Sequence, residues 1–321
     1  MDLIPGTRAL RTLVAAGKHL NFTRAAEEVN LTPAAVSHQI KEFEAQLGFE
    51  LFQRNNRRVR MTEAGARFIE AVAESIDAMS RAAAAGRKIG RGAAMIRLTT
   101  ESTFASRWMM PRLLSFRQAH PDLDLRFDVT DELRNFDLDD VDVGVRFGAG
   151  QYPGLKSDRL FDNVAVPVCS PALLESGKPL GQPRDLFNHA LCHVVDTMQG
   201  ATWPTWGVWM AAAGVDDFDE RRCITFIDSV HTIQAALDGA AVALADLCMV
   251  ADDLAAGRLV RPFDLGIRME PQFAFYLVYP ERSAADPQVQ TFRHWLLIEA
   301  RKTDAMFTVP IGPQPAAPPH V

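Results

Sequence analysis

Residues 21–48 read NFTRAAEEVNLTPAAVSHQIKEFEAQLG, and they decide how the N-terminal third is read. Residues 21–30 carry an apolar stripe of Phe22, Ala26 and Val29, with Thr23 placed to cap a helix and Glu27 and Glu28 early in it. A brief turn at Asn30 and Leu31 follows. Thr32 then offers an N-cap oxygen, and Pro33 stands at the first helical position, where its missing N–H costs nothing. Val36, Ile40, Phe43 and Leu47 step by four, three and four, so they face inward, and Gly48 ends the helix. Pro33, Ala34, Ser37, His38 and Lys41 share the outer face. Two short helices joined by a tight turn, the second with a small and polar outer face, form a helix-turn-helix pattern. Ser37, His38 and Gln39 could hydrogen-bond base edges, and Lys41 could reach a phosphate. Thr23 and Thr32, at the two helix starts, belong to the same candidate set. Upstream, Leu10, Leu13 and Val14 share a face of a first helix expected to end near Gly17. Helical periodicity alone fits a hairpin with a merely solvated face equally well.

The next segment favours nucleic acid. Residues 51–62 (LFQRNNRRVRMT) form two strand-like stretches around a turn, with Arg54, Arg57, Arg58 and Arg60 unopposed by any acid. A basic hairpin directly after a recognition helix is a wing, suited to phosphate contacts or the minor groove. From Thr62 to about Ile89, Phe68 or Ile69, Val72, Ile76, Met79 and Ala83 recur every three or four residues. Such a helix spans roughly 42 Å, and its narrow stripe predicts a dimerisation and linker helix. The glycine-punctuated residues 82–92 mark a hinge.

Charge divides at that hinge. The 321-residue chain has a net charge of −6, but residues 1–92 hold 14 Lys and Arg against 10 Asp and Glu, and the remainder 20 against 30. Attraction to phosphate is local, so the overall acidity does not exclude a basic DNA-binding module. No apolar run is long enough to span a membrane, and residues 1–17 lack a signal-peptide pattern, so a cytoplasmic protein is expected. Cys169, Cys192, Cys223 and Cys248 are scattered, and His189, His193 and His231 have no ligand spacing, so neither metal nor cofactor is expected. Cys192 and Cys223 could form a redox pair, although isolated cysteines usually pack as small hydrophobes. Trp203, Trp206 and Trp209 stand at helical spacing and read as packing residues. No hydrolase or nucleotide-binding glycine motif occurs, so no catalysis is expected.

Residues 93–303 alternate strand-like and helix-like stretches, which implies α/β sheets with ligands near strand C-terminal ends. Strands are expected at 96–100, 123–129, 141–147, 165–169, 223–227, 242–245 and 273–279, and a helix at 108–118. Ser102 and Thr103 follow the first strand at a helix start, where hydroxyls and free N–H groups can bind an anion or carbonyl. Asp228 and Ser229 precede the helix 230–238. All four could equally be caps and nothing more. Arg146 and Phe147 close a strand and could line a rim, although Arg146 could instead pair with a carboxylate. Phe275 and Tyr276 alternate faces, so one of them faces any cleft. Residues 304–321, rich in proline, read as a disordered tail.

The stretch 21–40, with Leu47-Gly48, Leu51-Phe52-Gln53-Arg54 and Met61-Thr62-Glu63-Ala64-Gly65, resembles the signature of the LysR-type transcriptional regulators. Stretches 102–108, 142–148 and 275–280 are similar to the branch holding the glycine-cleavage activator and the β-lactamase regulators. The resemblance implies a winged helix-turn-helix at 1–61, a linker helix at 62–92 and an effector domain at 93–303. That domain would comprise two Rossmann-like, periplasmic-binding-protein-like subdomains, 93–163 with 268–303 and 164–267, crossed near Asn163 and Ile267. It also implies an effector between the helix starts at Ser102-Thr103 and Asp228-Ser229. The partners implied are promoter DNA, RNA polymerase and further copies forming dimers and tetramers. Helix N-termini would suit a carboxylate-bearing effector. His38 and Pro33 stand where many members carry Arg and Gln, so base preference does not transfer. Phe275 stands where relatives often carry Tyr. Two other functions fit the same pattern. An α/β enzyme fused to a DNA-binding module would turn its ligand over, and a solute receptor would not bind DNA.

Overall fold

The computed structural model describes residues 6–55, 58–90, 95–175, 177–195, 197–198 and 201–305. The chain divides into a small unit, essentially residues 1–92, and a large one, essentially 93–321.

In the small unit, α1 (Thr7–His19), α2 (Phe22–Glu28) and α3 (Pro33–Leu47) precede the antiparallel hairpin β1 (Phe52–Asn55) and β2 (Arg58–Met61) and the long helix α4 (Glu63–Gly90). Leu13, Ala16, Val36, Ile40, Phe43 and Leu51 form its buried core. Two local expectations are corrected. Helix α1 continues past Gly17 to His19, and Gly17 instead gives Ile69 of α4 room: a Cβ there would lie 2.8 Å from Ile69 Cγ2. Helix α2 is capped by Asn21 and not by Thr23; the Asn21 side-chain oxygen accepts the N–H groups of Thr23 and Arg24 at 2.9 and 3.3 Å. Thr32 caps α3 as expected, accepting from Ala35 N at 3.2 Å, and Gly48 ends it in the left-handed region (φ 76°). The stripe of α4 is largely spent within its own unit: Ile69 is core, and Phe68, Val72 and Ile76 pack against that core. Met79 remains 48% exposed.

The large unit is built on two five-stranded sheets of like construction. The first uses β3 (Met95–Thr100), β4 (Asp124–Val129), β5 (Val143–Gly148) and β6 (Leu155–Asp162). A π-helical turn, Phe104–Met109, leads into α5 (Met110–Ala119), so the predicted helix begins earlier than expected. The second sheet starts with β7 (Val164–Val168). Then come α6 (Pro171–Leu174), β8 (Leu191–Val194), the two-residue strands β9 (Thr197–Met198) and β10 (Ala201–Thr202), and α7 (Trp206–Ala212). It is completed by β11 (Ile224–Phe226), α8 (Ser229–Leu237), β12 (Val242–Asp246), α9 (Leu247–Ala255) and β13 (Ile267–Arg268). The chain then returns to the first sheet with β14 (Ala274–Pro280) and closes with α10 (Pro287–Ala305).

The strand orders are β4-β3-β5-β14-β6 and β11-β8-β12-β7-β13. In each sheet three neighbouring strands run parallel and two further pairings are antiparallel. Arg268 pairs with Val164 and so belongs with the second sheet, one residue beyond the expected crossing. One hydrophobic core runs through both lobes, including Trp108, Phe161, Val166, Ile233 and Phe292. Arg112 of α5 braces them: its guanidinium donates to Asp252 of α9 at 2.7 and 3.2 Å and lies 4.6 Å over the Trp108 ring. Among the described residues no helix is long and apolar enough to cross a membrane.

Candidate nucleic-acid interface and ligand cleft

Helix α3 buries Val36, Ile40 and Phe43 and leaves Thr32, Pro33, Ala34, His38 and Lys41 exposed, with Ser37 half-buried beside them. Gln39 does not join this face. It lies roughly 100° around the helix from His38, on the flank of the apolar stripe, and its side-chain oxygen is shielded from solvent without a hydrogen-bond partner. The His38 ring lies 3.5 Å from Glu42 one turn on. Thr23 is exposed on α2, where it donates its N–H to Asn21 and serves as no cap. Glu44 ties the recognition helix to the hairpin, accepting the N–H groups of Leu51 and Phe52 at 2.8 and 3.0 Å. In the hairpin Arg60 is exposed opposite Gln53. Of Arg54 and Arg58 the backbone alone is described, in β1 and β2, and Arg57 lies outside the described residues.

In the large unit a cavity of roughly 370 Å³ opens at the C-terminal ends of strands from both sheets, within the usual size of small-ligand pockets. From the first lobe come Glu101, Ser102 and Thr103 after β3, Asp131 after β4, Phe147 of β5 and Phe275 of β14. From the second come Val194, Trp203, Ile227, Asp228, Ser229, Asp246 and Met249, with Met269 at the crossing. The Thr103 side chain makes no cap hydrogen bond. Asp228 does cap α8, accepting His231 N at 3.1 Å and contacting the His231 ring at 2.8 Å. Burial works to raise the Asp228 pKa, but the backbone and ring of His231 outweigh it and hold the carboxyl below its ordinary value. Glu101 is buried and accepts Phe147 N at 3.0 Å.

Asp246 is 1% exposed at the end of β12. Its Oδ1 accepts the N–H and the thiol of Cys248 at 3.2 and 3.0 Å, while Oδ2 has no hydrogen-bond partner. Burial pushes its pKa up to about 7, against the Cys248 hydrogen bonds and the nearby Val164 backbone N–H.

Residues 7–66 match the family described as bacterial regulatory helix-turn-helix protein, lysR family, and residues 89–301 match the LysR substrate binding domain. The chain is 38% identical over 306 residues to the glycine cleavage system transcriptional activator of Escherichia coli K12, covering 95% of this chain and 97% of that protein. It is 33% identical to the HTH-type transcriptional activator AmpR of Providencia stuartii, over 92% of this chain and 96% of that one. The solved effector domain of AmpR from Pseudomonas aeruginosa superposes with TM-score 0.54 at 27% identity, covering 66% of this chain and 98% of that domain.

The chain is a LysR-family transcriptional regulator.

In this LysR-family regulator, six of the residues singled out in the effector half meet at one cavity: Ser102, Thr103, Phe147, Asp228, Ser229 and Phe275. Arg146 and Tyr276 do not: the expectation that Arg146 lines the rim is corrected, and of the pair Phe275 and Tyr276 it is Phe275 that faces the cavity. Arg146 and Tyr276 are cross-strand partners on β5 and β14, each pointing to the face opposite its neighbour, Phe147 or Phe275. Arg146 is 3% exposed and donates to the carbonyls of Thr130 and Glu132 and to Thr99 Oγ1, holding the loop after β4. Tyr276 packs near Tyr152 and donates its hydroxyl to the Gln272 carbonyl at 2.8 Å. Sequence reasoning missed Glu101, Asp131, Trp203, Asp246, Met249 and Met269. Asp246 carried a usable signal, an acid between an apolar strand and a helix, whereas the two methionines carried none. Trp206 and Trp209 are fully buried as expected, but Trp203 faces the cavity. The cysteines are free, and burial pushes the thiols of Cys192 and Cys223 up to about 12, away from redox reactivity. Among the described residues no cluster could hold a metal ion.

Proposed function

We propose that this regulator reads promoter DNA through Thr32, Pro33, Ala34, Ser37, His38 and Lys41 of α3 and Arg54, Arg57, Arg58 and Arg60 of the wing. A small metabolite in the cleft controls it. The observation that carries the second half is the cavity itself: two lobes of like topology present their strand C-terminal ends and two helix starts to one space, where α/β folds bind ligands. Residues 1–61 form the DNA-binding domain in this reading, 62–92 the linker and 93–303 the effector domain. Since most of the α4 stripe closes its own unit, self-association through α4 would use its C-terminal half beyond Met79. Ligand binding shifts the population between lobe arrangements and so the action of the wings on DNA and RNA polymerase. Binding without turnover in the cytoplasm accounts for the whole site.

The test uses the full chain and DNA from its own promoter region. Replacing Arg57 and Arg58 by Ala should weaken binding to all sequences and flatten the salt dependence of log K. His38→Ala should cost mainly specific affinity, about 1–3 kcal/mol if a base contact is lost. The pair Thr103→Val, Ser229→Ala should abolish the response to metabolite while basal DNA binding persists. An unchanged response in that pair would move the ligand elsewhere.

A further inference from the structure

Among the described residues, the charged side chains lining the cleft are Glu101, Asp131, Asp228 and Asp246, with no Lys, Arg or His beside them. Three of these acids have a cation in their surroundings. Arg146 lies behind the wall and is attracted to Glu101 and Asp131, and His231 pairs with Asp228. Asp246 differs. No cationic side chain among the described residues pairs with it, its hydrogen bonds come from the N–H and thiol of Cys248 to Oδ1, and Oδ2 is unpartnered at 1% exposure. A buried carboxylate without a counter-charge is costly, so such groups are met either protonated or paired. Nearby, Trp203, Phe147 and Phe275 put aromatic rings on the same cavity, and the Trp203 indole N–H is itself buried without an acceptor. Aromatic faces attract cations.

We propose that the ligand of this cleft is a small organic ammonium ion, its charged nitrogen seated against Asp246 and the aromatic wall. The proposal rests on the cleft being the effector site, and it replaces the carboxylate expected from helix starts alone. Partial charges at two helix N-termini are weaker than four lining carboxylates, one of them uncompensated.

Two sets of matched probes test it on the full chain by titration calorimetry: benzylammonium, benzyl alcohol and benzoate; ethanolammonium, ethylene glycol and glycolate. The ammonium member should bind most tightly in each set in which binding is measured. Asp246→Asn keeps the shape and the helix cap, and should weaken that binding by roughly 30-fold or more while the neutral members change little. Near pH 7 ammonium binding should release a fraction of a proton, read from two buffers of different ionisation enthalpy. If Asp246→Asn does not fold, the charge order on the wild-type chain still decides. Tightest binding of benzoate or glycolate, weakened by Thr103→Val, Ser229→Ala, would overturn the ammonium assignment and leave the cleft as the effector site. Ammonium binding unchanged in Asp246→Asn would overturn it too. No binding of any probe would overturn both.

Discussion

Replacing Asp246 by Asn should change how stability depends on pH, with a sign that can be worked out. The carboxyl titrates at about 7 in the folded protein because burial disfavours its charge, against an ordinary value of 3.8. Below the ordinary value both states carry the proton and the group has no pH-dependent effect. As pH rises from 4 to 7 the unfolded chain loses the proton and the folded chain keeps it. Stability therefore falls through that window and levels off above it. At 1.36 kcal/mol per pKa unit, a shift of about three units amounts to roughly 4 kcal/mol. Asn accepts the same Cys248 N–H and carries no charge, so the variant should gain about that much on the wild type by pH 8, less about 1 kcal/mol for the thiol contact. Below about pH 4 the charge effect vanishes and the wild type should lead by about the 1 kcal/mol of the thiol contact, so the two profiles cross. All five tryptophans (Trp108, Trp203, Trp206, Trp209 and Trp295) lie in the large unit, so tryptophan fluorescence during urea unfolding follows that unit alone. With a slope of about 2–3 kcal/mol per molar, the midpoints should separate by about one molar or more at pH 8. Parallel pH profiles for the two proteins would refute the reasoning, since every other titrating group is common to both.

Gly65→Ala should destabilise the small unit by about 3 kcal/mol or more, because the new Cβ would sit 2.1 Å from the Leu51 carbonyl oxygen, a backbone atom that cannot move aside; circular dichroism melts and loss of DNA binding report it. Asn21→Ala should cost about 1 kcal/mol and Thr23→Ala close to nothing, the reverse of the order expected from sequence. Arg146→Met should lower the melting temperature of the large unit, since of its three acceptors the buried Thr99 Oγ1 would lose its donor at about 1–3 kcal/mol, while the Thr130 and Glu132 carbonyls can turn to water. Its ligand affinity should change less than that of Thr103→Val.

The helix-turn-helix was legible because local chemistry writes it. Thr32, Pro33 and Gly48 punctuate α3, and Val36, Ile40 and Phe43 keep its period. The errors there came from competing caps, since Asn21 and Thr23 are both acceptable and packing of Phe22 decides between them. For α4, periodicity shows that a face is apolar and not what covers it: Ile69 meets the core of its own unit, while Phe68, Val72 and Ile76 are only partly buried there. In the effector half, strand alternation puts Phe147 and Arg146 on opposite faces, but does not say which face meets the cavity. Trp203 and Met269 reach the cleft through long-range topology, which leaves no trace in spacing. Asp246 was hidden for another reason: a lone acid at a strand end looks like a cap, and it is one, so its second oxygen went unnoticed.

The place of β14 has a consequence for how the chain is made. The strands of the second sheet, from β7 to β13, lie in one unbroken stretch of sequence, so that lobe can close as soon as it leaves the ribosome. The first sheet cannot. Its strands β5 and β6 hydrogen-bond not to each other but to β14, which is synthesised after the whole second lobe. Until then both strands keep an open edge, and open edges pair promiscuously. During translation the earlier-made lobe therefore finishes last and waits with its two edges exposed. A slow stretch of translation between β6 and β14 would lengthen that exposure and lower the soluble yield without altering a single residue of the finished protein.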